Sequence, residues 1–225
     1  MTGSGEAYAD TRRRIVDVVK DLDKGETRLV VPACPAWTVR DLIAHLAAVA
    51  VDMSKGNLEG VGSEEWTLRQ LDDRIDRTLD ELLDEWAGIA GQVEGALEYL
   101  PKWAASMLVG DTVTHEHDLR GAVVRPGARD SDAVKISANG YARWFGRKVK
   151  DAGLPAVLVK WADGEWVAGN GEPAVTVGAP TFEMLRGLTG RRTRAEVAAF
   201  DWSDDPGPYL DLFSYYGMPE RSLGE

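Results

Sequence analysis

The sequence predicts an α+β protein, with a helical bundle over residues 1–153 followed by a small α+β domain over 154–225. Two observations carry this. Apolar residues recur at helical spacing through most of the first two-thirds of the chain. After Gly153-Leu154-Pro155 the texture changes to short β-branched runs punctuated by turn residues.

Tyr8, Ile15, Val18, Val19 and Leu22 mark a first amphipathic helix over 8–22. The stretch LVVPACPAW, 29–37, is interrupted twice by proline and reads as a connection. Thr38 is placed to cap the next helix, with Asp41 three residues on as a capping-box variant. Ser63 caps a third helix, and Trp66, Leu68, Leu71, Ile75, Leu79, Leu82, Leu83 and Trp86 extend it as one long helix to about Val93. Pro101 precedes a helix over 104–123, RPGARDSDA breaks it, and Ser131-Asp132 opens another to about Ala152. AVLVKW, EWVAG and AVTVGA then read as strands joined by hairpin turns at DG and GNGEP. A short helix over 181–188, the segment TRAEVAAFDW and a final helix or ordered turn complete the chain.

Bulk properties exclude several functions. The net charge of −11 opposes phosphate backbones, and the short clusters Arg12-Arg13-Arg14 and Arg191-Arg192-Arg194 read as solvated faces, so nucleic acid is not an expected partner. No apolar run is long enough for a membrane span. The first residues lack an apolar signal core, and Cys34, the only cysteine, allows no internal disulfide; both point to the cytoplasm. Monomer and dimer are both compatible with the sequence.

Three histidines carry most of the remaining information. Leu42, His45, Leu46 and Val49 follow i, i+3, i+4, i+7, which puts His45 on a core-facing stripe. Leu108, Asp111, Thr112, His115, Leu119 and Ala122 line up in the same way in a later helix. A carboxylate on an inward face must find a cation, a metal or water, because burying it alone costs several kcal/mol. An Asp and a His one turn apart can reach one ion, and His45 from a neighbouring helix would make three ligands. The same pattern also suits a hydrogen-bonded core histidine. Glu116 and His117 point roughly 100° and 200° round the helix from His115, though Glu116 can reach the edge of a cavity.

VPACPAWTVRDLIAHLAAV resembles the opening motif of the mycothiol-dependent maleylpyruvate isomerase family, a branch of the DinB-like metal-binding four-helix bundles. DTVTHEHDLRGAV resembles that family's second motif, and the WADGEW and PTFEMLRGLTGRR segments its smaller C-terminal domain. The resemblance implies that His45, Asp111 and His115 bind a divalent metal, usually zinc, with Asp111 standing where the characterised isomerases have Glu. It also implies mycothiol as thiol cosubstrate, and isomerisation or S-transfer on a small electrophile or a cis-alkene resembling a dicarboxylate. A thiol-independent DinB-like hydrolase, or a non-catalytic metal-stabilised binding protein closed by a fourth ligand such as Glu116, are the alternatives.

Around this triad Asp118 is placed to orient an imidazole or to form a salt bridge, with Arg120 beside it; Glu116, Asp118 and Arg120 are thus candidates for the shell around the ligands or the cleft. Arg147, Arg186 and Arg192 are candidate carboxylate clamps or plain surface charges. Trp37 reads as a packing residue and Cys34 as a small buried apolar one.

Overall fold

Side-chain caps set where most of the helices begin. In the computed structural model, which describes residues 2–225, Thr38 and Asp41 form a reciprocal capping box that opens α2 (Val39–Lys55). Ser63 caps α3 (Glu64–Asp72), and Ser131 caps α6 (Asp132–Asp151), each accepting from a backbone N–H three residues on. The remaining long helices are α1 (Ser4–Val19), α4 (Leu79–Leu97) and α5 (Lys102–Ala122).

The expected single helix from Ser63 to Val93 is two helices. The chain leaves α3 at Asp73 and restarts at Thr78, whose hydroxyl accepts from the Glu81 N–H while the Glu81 carboxylate accepts from the Thr78 N–H. This capping box, T-x-x-E, is a start signal inside an apolar pattern that otherwise reads as continuous. Ile75, counted above as part of the apolar stripe, is 69% exposed in the break. Arg40 reaches across from α2 and donates to the carbonyls of Ile75 and Arg77, satisfying part of this turn.

The proline-broken connection is also more ordered than expected. Val30–Val31 (β1) and Cys34–Thr38 (β2) pair antiparallel through a bulge, with Pro32 and Ala33 at the turn. Bulged pairing leaves strand residues without ladder bonds, which is what lets Pro35 sit in β2.

The C-terminal strands are β3 (Val157–Trp161), β4 (Gly164–Ala168), β5 (Val175–Gly178) and β6 (Asp201–Trp202), in the order β4-β3-β5-β6. The DG hairpin forms as expected, pairing β3 with β4. The second expected hairpin does not. The segment after β4 passes the start of β3 and places β5 on its far side, parallel, with Val157 opposite Val175 and Val159 opposite Val177. That register puts four buried valines on one face, whereas β4 buries little until Ala168. Three short helices follow: α7 (Thr181–Leu188), α8 (Arg194–Ala198) and α9 (Gly207–Phe213).

Packing sorts these elements into two compact groups, residues 2–101 with 115–126 and residues 102–114 with 127–225. The single helix α5 is shared by both. In the first group α4 packs on α1 and α2, and α3 lies on α2. The N-terminus of α1 has no cap of its own; the Gly5 N–H donates to the Glu98 carboxylate, just past α4, at 2.9 Å. A Cβ at Gly5 would come within 2.4 Å of the Glu94 carbonyl, so glycine is what permits this approach. In the second group α6 packs on β4 and α7, with Phe145, Val149, Leu185 and Phe213 in its core. No helix among the described residues is long and apolar enough to cross a membrane.

Candidate metal centre

The stripe on α2 is buried as its spacing requires: Leu42, His45, Leu46 and Val49 are all at most 7% exposed. On α5, Leu108, Thr112, His115 and Leu119 are buried and Asp111 is half-buried, one turn before His115. The imidazoles of His45 and His115 meet edge to face, with ring centroids 5.2 Å apart. His45 and His115 share one packing group, and Asp111 stands one turn before His115 on the same continuous helix. Because α5 is uninterrupted, helical spacing fixes Asp111 relative to His115.

Each imidazole is held through Nδ1. His45 Nδ1 lies 3.1 Å from Gln70 Oε1 on α3, and the Gln70 amide N–H donates to Asp52 at 2.7 Å. With its NH2 committed to Asp52, Gln70 presents an oxygen, so His45 Nδ1–H is the donor. His115 Nδ1 lies 3.0 Å from Asp118 Oδ2, and Asp118 is fully buried. In the neutral rings both Nε2 atoms therefore keep a lone pair, the arrangement in which outer hydrogen bonds orient metal-binding histidines. Trp37 lies against both rings, 4.9 Å from His45 and 5.7 Å from His115, and Trp66 meets His45 edge-on at 6.5 Å.

The donor set suits a divalent ion. Two imidazoles and one carboxylate are ligands common to zinc and non-haem iron. Within its own packing group Asp111 acts on Tyr141. Burial first, then Tyr216 and the Asp111 charge, push the Tyr141 hydroxyl well above its ordinary value, so it stays a protonated donor.

Other sequence candidates fall elsewhere. Glu116 is fully buried and its two oxygens are taken by Arg14, at 2.8 and 2.7 Å, and by Arg120, at 3.0 Å. Glu116 and Arg120 thus belong to an ion-pair cluster and not to the edge of the histidine pair, because 100° of helix rotation carries Glu116 toward α1. Cys34, expected to be a small buried apolar residue, is half-exposed with its Sγ 3.8 Å from Asp118 Oδ2. Arg147 is exposed. Arg186 and Arg192 are buried and both pair with Glu225; Arg186 also donates to the Thr114 carbonyl at 3.2 Å. His117 is buried but belongs to neither cluster of ligand atoms among the described residues. A separate cavity of about 470 Å³, lined by Lys160, Trp161, Glu183, Phe200 and Asp201 among others, holds none of the candidate ligands.

Sequence reasoning missed Gln70, Asp52, Tyr141 and the contact of Trp37 with both rings. No local signal marked the first three, whose roles come from tertiary neighbours. Trp37 sits eight residues before His45, in the hairpin leading into α2.

Residues 8–131 match the family profile described as the mycothiol maleylpyruvate isomerase N-terminal domain, over more than half of the chain. This chain belongs to that family. Two solved structures are similar to it: a histidine-to-alanine mutant of the mycothiol-dependent maleylpyruvate isomerase, and the mycothiol-dependent maleylpyruvate isomerase itself. The mutant is 15% identical with a TM-score of 0.60, the second 16% identical with a TM-score of 0.59. Each alignment covers 90% of this chain and 96% of the other. At that identity the likeness establishes the fold: a helical N-terminal region and a C-terminal part with a small sheet. Among curated proteins none matches.

Proposed function

We propose that the protein is a divalent-metal enzyme, with zinc as the ion, that uses mycothiol to isomerise or S-transfer a small electrophile such as a cis-alkene dicarboxylate. The observation that carries the proposal is the pair of buried imidazoles, each tethered through Nδ1, with an aspartate one helical turn before the second on the same helix. His45 and His115 would hold the ion through Nε2 and Asp111 through its carboxylate. When bound, such an ion supplies positive charge that favours a thiolate over a thiol and polarises a carbonyl.

The chain's own residues do the rest. Gln70 and Asp118 keep the imidazoles in one tautomer and orientation. Trp37 and Trp66 wall the imidazoles with aromatic surface. Tyr141, held as a phenol near Asp111, can donate a hydrogen bond to the aspartate or to a substrate oxygen. Glu116 supports an open coordination position by its commitment to Arg14 and Arg120, since the carboxylate that would close a purely structural site is engaged elsewhere. With Asp111 one methylene shorter than glutamate, maleylpyruvate is the first substrate to test and not the assumed one.

The test is elemental analysis of the full-length protein beside His45→Ala and Asp111→Ala, paired with maleylpyruvate turnover in the presence and absence of mycothiol. About one zinc per chain in the wild type, lost in both variants, and turnover only with thiol are expected. Turnover that persists without thiol would make the protein a hydrolase or another thiol-independent enzyme. A wild type that takes up no divalent ion after reconstitution would end the metal reading.

A further inference from the structure

The described residues contain a second group of ligand-type atoms, and it uses the other side of His115. Atoms of Cys34, His115 and Asp118 lie within 4.8 Å of one another. All three belong to the same packing group. The Asp118 oxygen that accepts from His115 Nδ1 at 3.0 Å also lies 3.8 Å from Cys34 Sγ. His115 and Asp118 are buried, and Cys34, at the start of β2, is half-exposed and gives a route from solvent.

A thiolate, an imidazole and a carboxylate form a donor set for soft and borderline cations. The set differs from that of His45 and Asp111 in its sulfur, so it selects a different ion. We propose that Cys34, Asp118 and His115 Nδ1 form a separate binding site for a soft divalent cation of the cadmium class, sharing only His115 with the zinc site proposed above. Binding displaces the Cys34 S–H proton to solvent. The Nδ1 proton of His115 moves to Nε2 when that nitrogen is open, and leaves to solvent when an ion holds Nε2. In the doubly loaded state Asp111, Asp118, the Cys34 thiolate and the bridging imidazolate provide four negative ligand groups for two dications.

Occupation has a consequence that rests on the earlier reading of His115. The cation takes Asp118 away as the hydrogen-bond acceptor of His115, and with it the carboxylate that orients the zinc ligand. The site is therefore inhibitory.

The experiment is a Cd2+ titration of the full-length, zinc-loaded protein, followed by bound-metal counting and by the ultraviolet thiolate-to-cadmium charge-transfer absorbance. Wild type and His45→Ala are compared with Cys34→Ser, and with Cys34→Ala should the serine variant lose its near-ultraviolet circular dichroism. The absorbance should grow in both wild type and His45→Ala, and the cysteine variants should lack it and bind one cadmium fewer per chain. Absence of the band in wild type at saturating cadmium would overturn the site. So would an undiminished cadmium count in the cysteine variants. A band present in wild type but absent in His45→Ala would assign Cys34 to the His45 centre and overturn the separate site. Loss of zinc in His45→Ala with the band retained leaves both readings standing, while a wild type that binds cadmium at Cys34 but never zinc removes only the earlier one.

Discussion

Asp118→Asn isolates what a buried carboxylate does for His115. The side chain is fully buried, and Oδ2 accepts the Nδ1–H at 3.0 Å. Asparagine keeps the shape and one acceptor oxygen but removes the charge. Hydrogen bonds to an ionised acceptor are roughly twice as strong as neutral ones. Losing the outer partner of a metal-binding histidine typically weakens metal affinity about 10- to 100-fold, or about 1.4 to 2.7 kcal/mol. Fold stability should move less. The variant loses a charge-assisted bond but also sheds the desolvation cost of a buried anion, and these oppose one another. The expected signature is thus a zinc Kd raised at least tenfold with an urea-unfolding free energy within about 1 kcal/mol of wild type for the apo protein. Competition against a chromophoric chelator gives the first quantity and urea titration the second. An affinity within twofold of wild type, in a variant with an intact near-ultraviolet spectrum, would refute the idea that Asp118 tunes His115.

Glu116→Ala should do the reverse. It leaves Arg14 and the largely buried Arg120 without their shared carboxylate, at a cost of about 3 kcal/mol in urea unfolding, discounted from the fully buried case because Arg14 is partly exposed. Zinc affinity of the folded fraction should stay within twofold, and a loss of metal with the fold retained would return Glu116 to the ligand set. Thr78→Ala removes the hydroxyl cap that restarts the chain at α4 and should lower stability by about 1 kcal/mol at neutral pH. The reciprocal partner Glu81 is held below its ordinary 4.5 by hydrogen bonds from the Thr78 backbone and hydroxyl. Its contribution is therefore complete above the unfolded value and lost as pH falls through the lower folded one. The gap between the thermal midpoints of wild type and variant should narrow as the pH is taken below about 4.5, leaving the part due to the Glu81 N–H bond to the hydroxyl. A constant gap would show that the Glu81 carboxylate takes no part in the box.

Much of the architecture was legible because it rests on local chemistry. Thr38 with Asp41, Ser63 and Ser131 announce helix starts through groups within three residues of one another. The inward stripes carrying His45, Asp111 and His115 were readable for a similar reason, since 3.6-residue periodicity determines which side chains share a face. What sequence could not show is who stands opposite. Gln70 lies on a mixed face of α3 and gains its role only because α3 lies on α2, with Asp52 positioned to hold its amide. The same blindness misassigned Glu116, whose cluster joins residues 102 positions apart. The missed break at 73–78 is a different failure: the apolar pattern ran through it in phase, and periodicity outweighed the Thr78-Glu81 cap. Parallel pairing of β3 with β5 was invisible because turn residues between two strands signal a change of direction but not which neighbour the second strand will choose.

The borrowed cap on α1 bears on the order of folding. Its first turn is completed by Glu98, 93 residues further along the chain, and Arg12 is likewise paired to Glu94. An N-terminal helix with no cap of its own begins as a frayed segment, because its leading N–H groups have no partner until α4 is in place. The entropy of closing so long a loop falls due before the contact forms, and that delays it relative to caps made within three residues. On the ribosome this helix is thus made well before the residues that secure it, and it waits for those near 94 and 98 to emerge.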